Sequence, residues 1–200
     1  MKVLKNSLCF FLLVLSLSSH AQNWDIRLLE KLNGAPQSQD KTWQFISNSS
    51  GTIDLALPIG LFIAGSLKHD ATIKNYGASM GVSFLANEVM TILLKRTFQR
   101  TRPFEAYPEL IFKKGTGGSY SMPSGHTSSA FSTATSLSLN FRKWYVVAPA
   151  YTYAAAVGYS RMYLGVHYPS DVLVGALLGS GTAYLTWKIN KKLQNKRKNR

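Results

Sequence analysis

Apolar residues in this chain gather into long blocks almost free of charge. Five stand out: Ile53–Leu67, Gly77–Leu94, Thr127–Phe141, Tyr145–Tyr159 and Val172–Trp187, each fifteen to eighteen residues long. No β-type alternation of any length and no repeat interrupts them. The pattern predicts an all-α fold, a helical bundle of five core helices. Ahead of the blocks, Trp24–Asn48 spaces Ile26, Leu28, Leu29, Leu32, then Trp43, Phe45 and Ile46 at helical intervals, broken at Asn33-Gly34-Ala35-Pro36. This predicts an N-terminal interfacial helix pair on a membrane surface, or an ordinary amphipathic helix packed on the core.

Two readings of the five blocks compete. At ~1.5 Å rise per residue they reach roughly 22–27 Å, short of the ~30 Å hydrocarbon layer. The mean hydropathy of −0.04 likewise leans towards a soluble bundle. Against this, the last three blocks contain no charged residue, and the first two hold Asp54 and Glu88 alone. A helix on a soluble surface needs a charged face. Small residues (Gly175, Ala176, Gly179, Ser180, Gly181) mark close packing in lipid. The blocks therefore read as membrane-spanning. Glu88 is expected to pair with Lys95, two turns on.

The charge pattern supports that reading. Residues 1–21 have Lys2 and Lys5, an apolar run Leu8–Leu17 and the small-residue site Ser19-His20-Ala21, which predicts a cleaved signal peptide. Cleavage removes Cys9, the one cysteine, so no disulfide is expected within the mature monomer. Residues 22–50 form the amphipathic segment and 51–188 the helical domain. Residues 189–200 form a basic cytoplasmic tail. Of the net charge of +14, half sits in Lys188–Arg200, with seven basic residues and no acidic one. A solvated cytoplasmic anchor explains this better than nucleic-acid binding, because the preceding segment is apolar. With Gln22 outside, five spans put Lys68–Lys74, Arg142–Lys143 and the tail inside, as the positive-inside rule requires. Lys95–Met122, the start of the helix after Pro123, and Ser160–Asp171 then share the outer face.

Those outer segments carry the chemistry. They read Lys95-Arg96-Thr97-Phe98-Gln99-Arg100-Thr101-Arg102-Pro103, then Pro123-Ser124-Gly125-His126, then Ser160-Arg161 through His167-Tyr168-Pro169-Ser170-Asp171. Phosphoryl transfer spreads negative charge over equatorial oxygens, and Lys95, Arg102 and Arg161 supply fixed positive donors. Ser124 is placed to cap a helix whose first N–H groups face an anion, with Gly125 allowing close approach. One neutral imidazole can attack phosphorus while a protonated one serves the leaving oxygen. His167 has Asp171 four residues on to fix its tautomer; His126 has no carboxylate nearby in sequence and is the candidate acid. No Cys/His/carboxylate cluster has metal-ligand spacing. Arg96 and Arg100 lie off the pattern and read partly as contacts to lipid headgroups. Gly115-Thr116-Gly117-Gly118 lacks a P-loop's Lys-Ser/Thr and reads as a flexible rim, with Tyr120, Met122, Tyr163 and Tyr168 shaping a pocket.

Over about Asn87–Gly179 the three stretches resemble the signature of the type 2 phosphatidic acid phosphatase superfamily, which also contains class A acid phosphatases and vanadium haloperoxidases. No signature position departs from it. The resemblance implies that Lys95, Arg102, Ser124, Gly125 and Arg161 bind phosphate. It implies that His167 is the nucleophile of a phosphohistidine intermediate, Asp171 its orienting partner, and His126 the acid that later activates water. No metal or other cofactor is implied. The implied partners are the bilayer and a lipid phosphate such as phosphatidic acid, phosphatidylglycerol phosphate, a polyprenyl diphosphate or lipid A. The expectation is a metal-independent, multi-pass phosphatase of the plasma (inner) membrane with its site on the extracytoplasmic face. Alternatives are a soluble secreted acid phosphatase, a vanadate-dependent haloperoxidase, for which the chain is short, and a non-catalytic lipid-phosphate binder. An intact His126, His167 and Asp171 argue against the last.

Overall fold

The computed structural model of the chain describes residues 24–198, so the expected signal peptide lies outside the described residues. Helix α1 covers 24–33 and ends where Gly34 takes φ +54 and Pro36 removes a donor. Helix α2, Asp40–Leu67, runs without a break through residue 50. The second half of the expected interfacial pair is therefore the first turns of the first core helix. Helix α3 spans Ala71–Phe98, α4 Pro103–Ala106, α5 Gly125–Phe141, α6 Trp144–Tyr163 and α7 Pro169–Lys198. The basic tail continues α7 as far as Lys198. Short turns between α2 and α3, and between α5 and α6, set these neighbours antiparallel. Asp70 caps α3, accepting from the amides of Thr72 (2.8 Å) and Ile73 (3.1 Å).

The bundle is polar inside and apolar outside. The buried face of α5 is Thr127, Ser128, Ser129, Ala130, Ser132, Ala134, Thr135 and Ser136. Its hydroxyls bond across to α3 and α6: Ser128 with Thr91 (3.0 Å), Ser132 with Ser83 (2.9 Å), Thr135 with Tyr151 (2.9 Å). Meanwhile Leu55, Phe62, Val82, Leu85, Val89, Leu177 and Leu185 all lie more than two-fifths exposed. A water-soluble bundle puts such residues inside; lipid is as apolar as leucine and reverses the preference. Helices α2, α7 and α3 with its continuation to Ala106 are long and apolar enough to cross a membrane. The other two core helices, α5 and α6, are shorter or richer in hydroxyls. The protein is an all-helical membrane protein. Glu88 does not reach Lys95; it accepts from Ser129 Oγ at 2.5 Å, because the α5 hydroxyl lies across the interface while Lys95 turns towards the loop that follows.

Backbone-to-backbone approach fixes α7 against α5. A Cβ placed on Gly179 would stand 1.9 Å from Ser128 O, and one on Gly175 2.7 Å from Ser124 O. Nothing lies within 4 Å of a Cβ on Gly181. Gly179→Ala should therefore cost about 1–3 kcal/mol of stability, the range for overpacking, while Gly181→Ala should be neutral. Thermal unfolding of the two variants in detergent measures the difference.

Candidate active site

One end of the bundle gathers the ends of α3 and α6, the starts of α2, α5 and α7, and the segment 107–124. Here Arg102 and Arg161 are 3% and 2% exposed. Arg102, the N-cap of α4, donates through Nε to the carbonyls of Gly118 and Ser119 (both 3.1 Å). Its Nη1 reaches Val166 O (2.7 Å) and His167 Nε2 (3.3 Å), and its Nη2 reaches Tyr120 O (3.2 Å). Lys95 Nζ donates to Tyr120 O (2.6 Å) and Ser121 O (3.4 Å). Arg161 donates to Thr116 O (2.8 Å) and to Ser47 Oγ, while its buried Nε has no partner among the described residues. Loop 116–121 is thus a collar of carbonyls around three cations, and corrects the reading of a flexible rim. Among the described residues no carboxylate comes within 4 Å of Lys95, Arg102 or Arg161. By contrast Arg100 and Lys114, also largely buried, are paired with Asp25, Asp171 and Asp40. Uncompensated buried charge costs several kcal/mol per ion unless an anion arrives to meet it.

His167 sits in the turn before α7, 2% exposed, between this collar and Asp171. The turn is sharp because Gly165 takes φ +72, and a Cβ there would strike Phe112 O at 2.4 Å. Asp171 Oδ2 accepts from the Tyr168 amide (2.9 Å) and from Ser121 Oγ, and stands 3.4 Å from His167 Nδ1. A guanidinium only donates, so His167 Nε2 is the acceptor towards Arg102 and Nδ1 carries the proton towards Asp171. Burial, joined by the charges of Arg161 and Arg102, outweighs Asp171 and pushes the imidazole down to about 3. His126 stands in the first turn of α5. Burial and then Arg161, Arg102 and Lys95 push it down to about 4. The three cations therefore act together on one ring.

Ser124 and Gly125 lie where expected, at the N-cap and first residue of α5. The Ser124 hydroxyl does not cap the helix; it pairs with Thr127 Oγ1 (2.9 Å), and the Ser124 amide donates to Asp171 O (3.0 Å). Tyr163 and Tyr168 are 5% exposed and support the site rather than line a pocket. The Tyr163 hydroxyl donates to Asp40 (2.7 Å), and the Tyr168 ring lies 3.8 Å beneath the Arg100 guanidinium.

Sequence reasoning missed a brace behind His167. Arg100 does not face lipid headgroups: it donates to Asp171 Oδ1 (2.7 Å), Ser170 Oγ (2.7 Å) and Asp25 Oδ2 (2.8 Å). Asp25, from α1, also accepts from the Ser170 amide (2.9 Å). An isolated acid in an amphipathic stretch gave no signal of this, because its partners lie 75 and 145 residues away. Asn33 makes a second tie, donating to Tyr163 O (2.8 Å) and Phe112 O (3.0 Å). Removing Arg100 leaves two carboxylates unpaired. Arg100→Ala should cost about 3 kcal/mol, the lower end for breaking a buried pair, since the side chain is 22% exposed. Arg96→Ala, at an exposed position, should change little; thermal unfolding compares the two.

Comparison with known proteins agrees with this architecture. The chain is 33% identical over 116 residues to an undecaprenyl-diphosphatase of Sulfolobus acidocaldarius, covering 58% of this chain and 56% of that one. It is 36% identical over 77 residues to a lipid A 4'-phosphatase of Bacteroides thetaiotaomicron, covering 38% and 34% respectively. The match thus spans little more than half of the first relative and about a third of the second. The fold superposes on a transmembrane PAP2-type phosphatidylglycerolphosphate phosphatase from Bacillus subtilis with a TM-score of 0.75 at 24% identity, covering 93% of this chain and 95% of that one. The PAP2 superfamily profile matches residues 75–195, which include Lys95, Arg102, His126, Arg161, His167 and Asp171, and the chain belongs to that superfamily.

Proposed function

We propose that the protein is a metal-independent phosphatase that removes a phosphate from a membrane lipid through a phosphohistidine intermediate. The observation that carries this reading is a set of three cations, Arg102 and Arg161 buried and Lys95 half-buried, with no carboxylate within 4 Å among the described residues, gathered beside an imidazole whose Nε2 is unprotonated. A phosphate monoester supplies the missing negative charge. On its arrival Arg102 shifts donors from His167 Nε2 and the collar carbonyls to phosphate oxygens, and Arg161 Nε gains a partner. His167 Nε2 attacks phosphorus in line, and the bond to the lipid oxygen breaks. Protonated His126 gives its proton to that oxygen. Asp171 stabilises the positive charge that His167 acquires. Water then attacks the phosphohistidine, losing its proton to His126, and phosphate leaves with His167 restored.

His126 must hold a proton for the first step although the anion-free site disfavours one. The substrate's charge offsets Lys95, Arg102 and Arg161, the same ions that depress the ring, so binding the phosphate also prepares the acid. The names of the relatives point to polyprenyl diphosphates and phosphorylated glycolipids as the substrates to test first. A cavity of about 480 Å³, lined by Asp40, Gln44, Asn48, Lys113 and Thr116, adjoins the collar at Thr116, whose carbonyl accepts from Arg161, and gives room for a polar headgroup. We place the site on the extracytoplasmic face of the plasma (inner) membrane, with the basic end of α7 on the cytoplasmic side. The apolar exterior of the bundle weighs against a soluble secreted phosphatase.

Two outcomes test this reading. Quenching with alkaline detergent after mixing with a ³²P-labelled lipid phosphate should trap a base-stable, acid-labile protein label in the wild type and none in His167→Ala; label persisting in that variant rejects the nucleophile. The depressed histidines also set a pH dependence. Between about pH 6.5 and 4 the unfolded chain takes up protons that the folded one refuses, so stability falls as pH falls through that window. The slope is about 1.4 kcal/mol per pH unit for each ring. Thermal unfolding against pH should therefore flatten in His126→Gln, and bound orthophosphate should flatten it in the wild type.

A further inference from the structure

The opposite end of the bundle carries a second cluster of cations that this chemistry does not use. A cavity of about 300 Å³ lies there between α3, α5 and α7, walled by Tyr76, Asn140, Arg142, Trp187, Asn190 and Lys191. Trp187 organises it. The Arg142 guanidinium stands 5.6 Å and the Lys191 ammonium 5.1 Å from its ring centroid. Two like charges thus converge on one indole, and no acidic residue lines the cavity. Among the described residues neither cation has a carboxylate within 4 Å. Arg142 is held there by a backbone in the left-handed region, φ +50, which ends α5.

The depth of the cavity is set by its surroundings. Trp144 and Tyr145, next along the chain, are 80% and 60% exposed, as expected for rings at a membrane–water boundary. Ile189 and Leu193 expose an apolar strip of α7 beside the polar lining. Cations and carboxamides at headgroup depth, with apolar surface alongside, match a lipid that has a phosphate head and acyl tails. We propose that this cavity binds the headgroup of an anionic phospholipid from the leaflet remote from the candidate active site, with Arg142 and Lys191 on its phosphate. The lipid holds α5 to α7 at the end beyond their close approach at Gly175 and Gly179. It is a bound component of the protein, not a substrate.

The test is retention of phosphatidylglycerol or phosphatidylcholine by the purified full-length protein, titrated in detergent and read by native mass spectrometry. Removing one cation near an anionic head should weaken retention about fivefold, and removing both about twenty-five-fold. Arg142→Gln and Lys191→Gln should therefore each lose phosphatidylglycerol to a similar extent, and the double variant most. Phosphatidylcholine retention and the rate of phosphate release from a soluble aryl phosphate should stay unchanged. Lys191→Gln, at an exposed helical position, keeps the test valid if Arg142→Gln folds poorly. Equal phosphatidylglycerol retention by the wild type and Lys191→Gln would overturn the site. Complete displacement of the lipid by equimolar inorganic phosphate would overturn the lipid assignment in favour of a free anion.

Discussion

Everything at the candidate active site depends on how Lys95, Arg102 and Arg161 are held together without carboxylates. Their mutual repulsion in a buried setting is met by backbone dipoles: the carbonyls of Thr116, Gly118, Ser119, Tyr120 and Ser121 accept from them. A carbonyl stabilises a cation without cancelling its charge. The site therefore stays electropositive, as phosphate binding requires, and yet is fixed in shape. Had aspartates filled the same positions, the cluster would be more stable and of little use to an anion. The same field keeps both imidazoles neutral, so His167 Nε2 keeps its lone pair.

Holding that collar in place is the work of parts far apart in the chain. The Asp25–Arg100–Asp171 brace ties α1 to the first turn of α7, and Asn33 ties the end of α1 to Phe112 and Tyr163. Lys114, packed over the Tyr163 ring, donates to Asn33 O. The amphipathic N-terminal segment is thereby part of the site's foundation, though none of its residues belongs to the signature. Beneath the collar, hydroxyls between α3 and α5 and the close approach at Gly179 fix the axis of α5, and with it the position of His126. Interhelical polar contacts and small residues do in lipid what apolar burial does in water.

The sequence by itself determined the helices, the membrane character and the candidate residues for the chemistry. Uncharged blocks have few other physical solutions in a chain without β alternation. The scarcity of histidines outside the signature left His126 and His167 conspicuous. Tertiary structure decided the rest, because the deciding contacts are long in sequence and short in space. Arg100 reads as one more basic residue beside Arg96 until the fold sets it against two carboxylates. Glu88 reads as a partner for Lys95, but the side-chain directions on α3 give it to Ser129. The glycine-rich loop reads as slack chain until its carbonyls are found on the arginines. Periodicity and residue type are local and survive in one dimension; which charges stay unpaired is a property of three-dimensional proximity, and only folding fixes it.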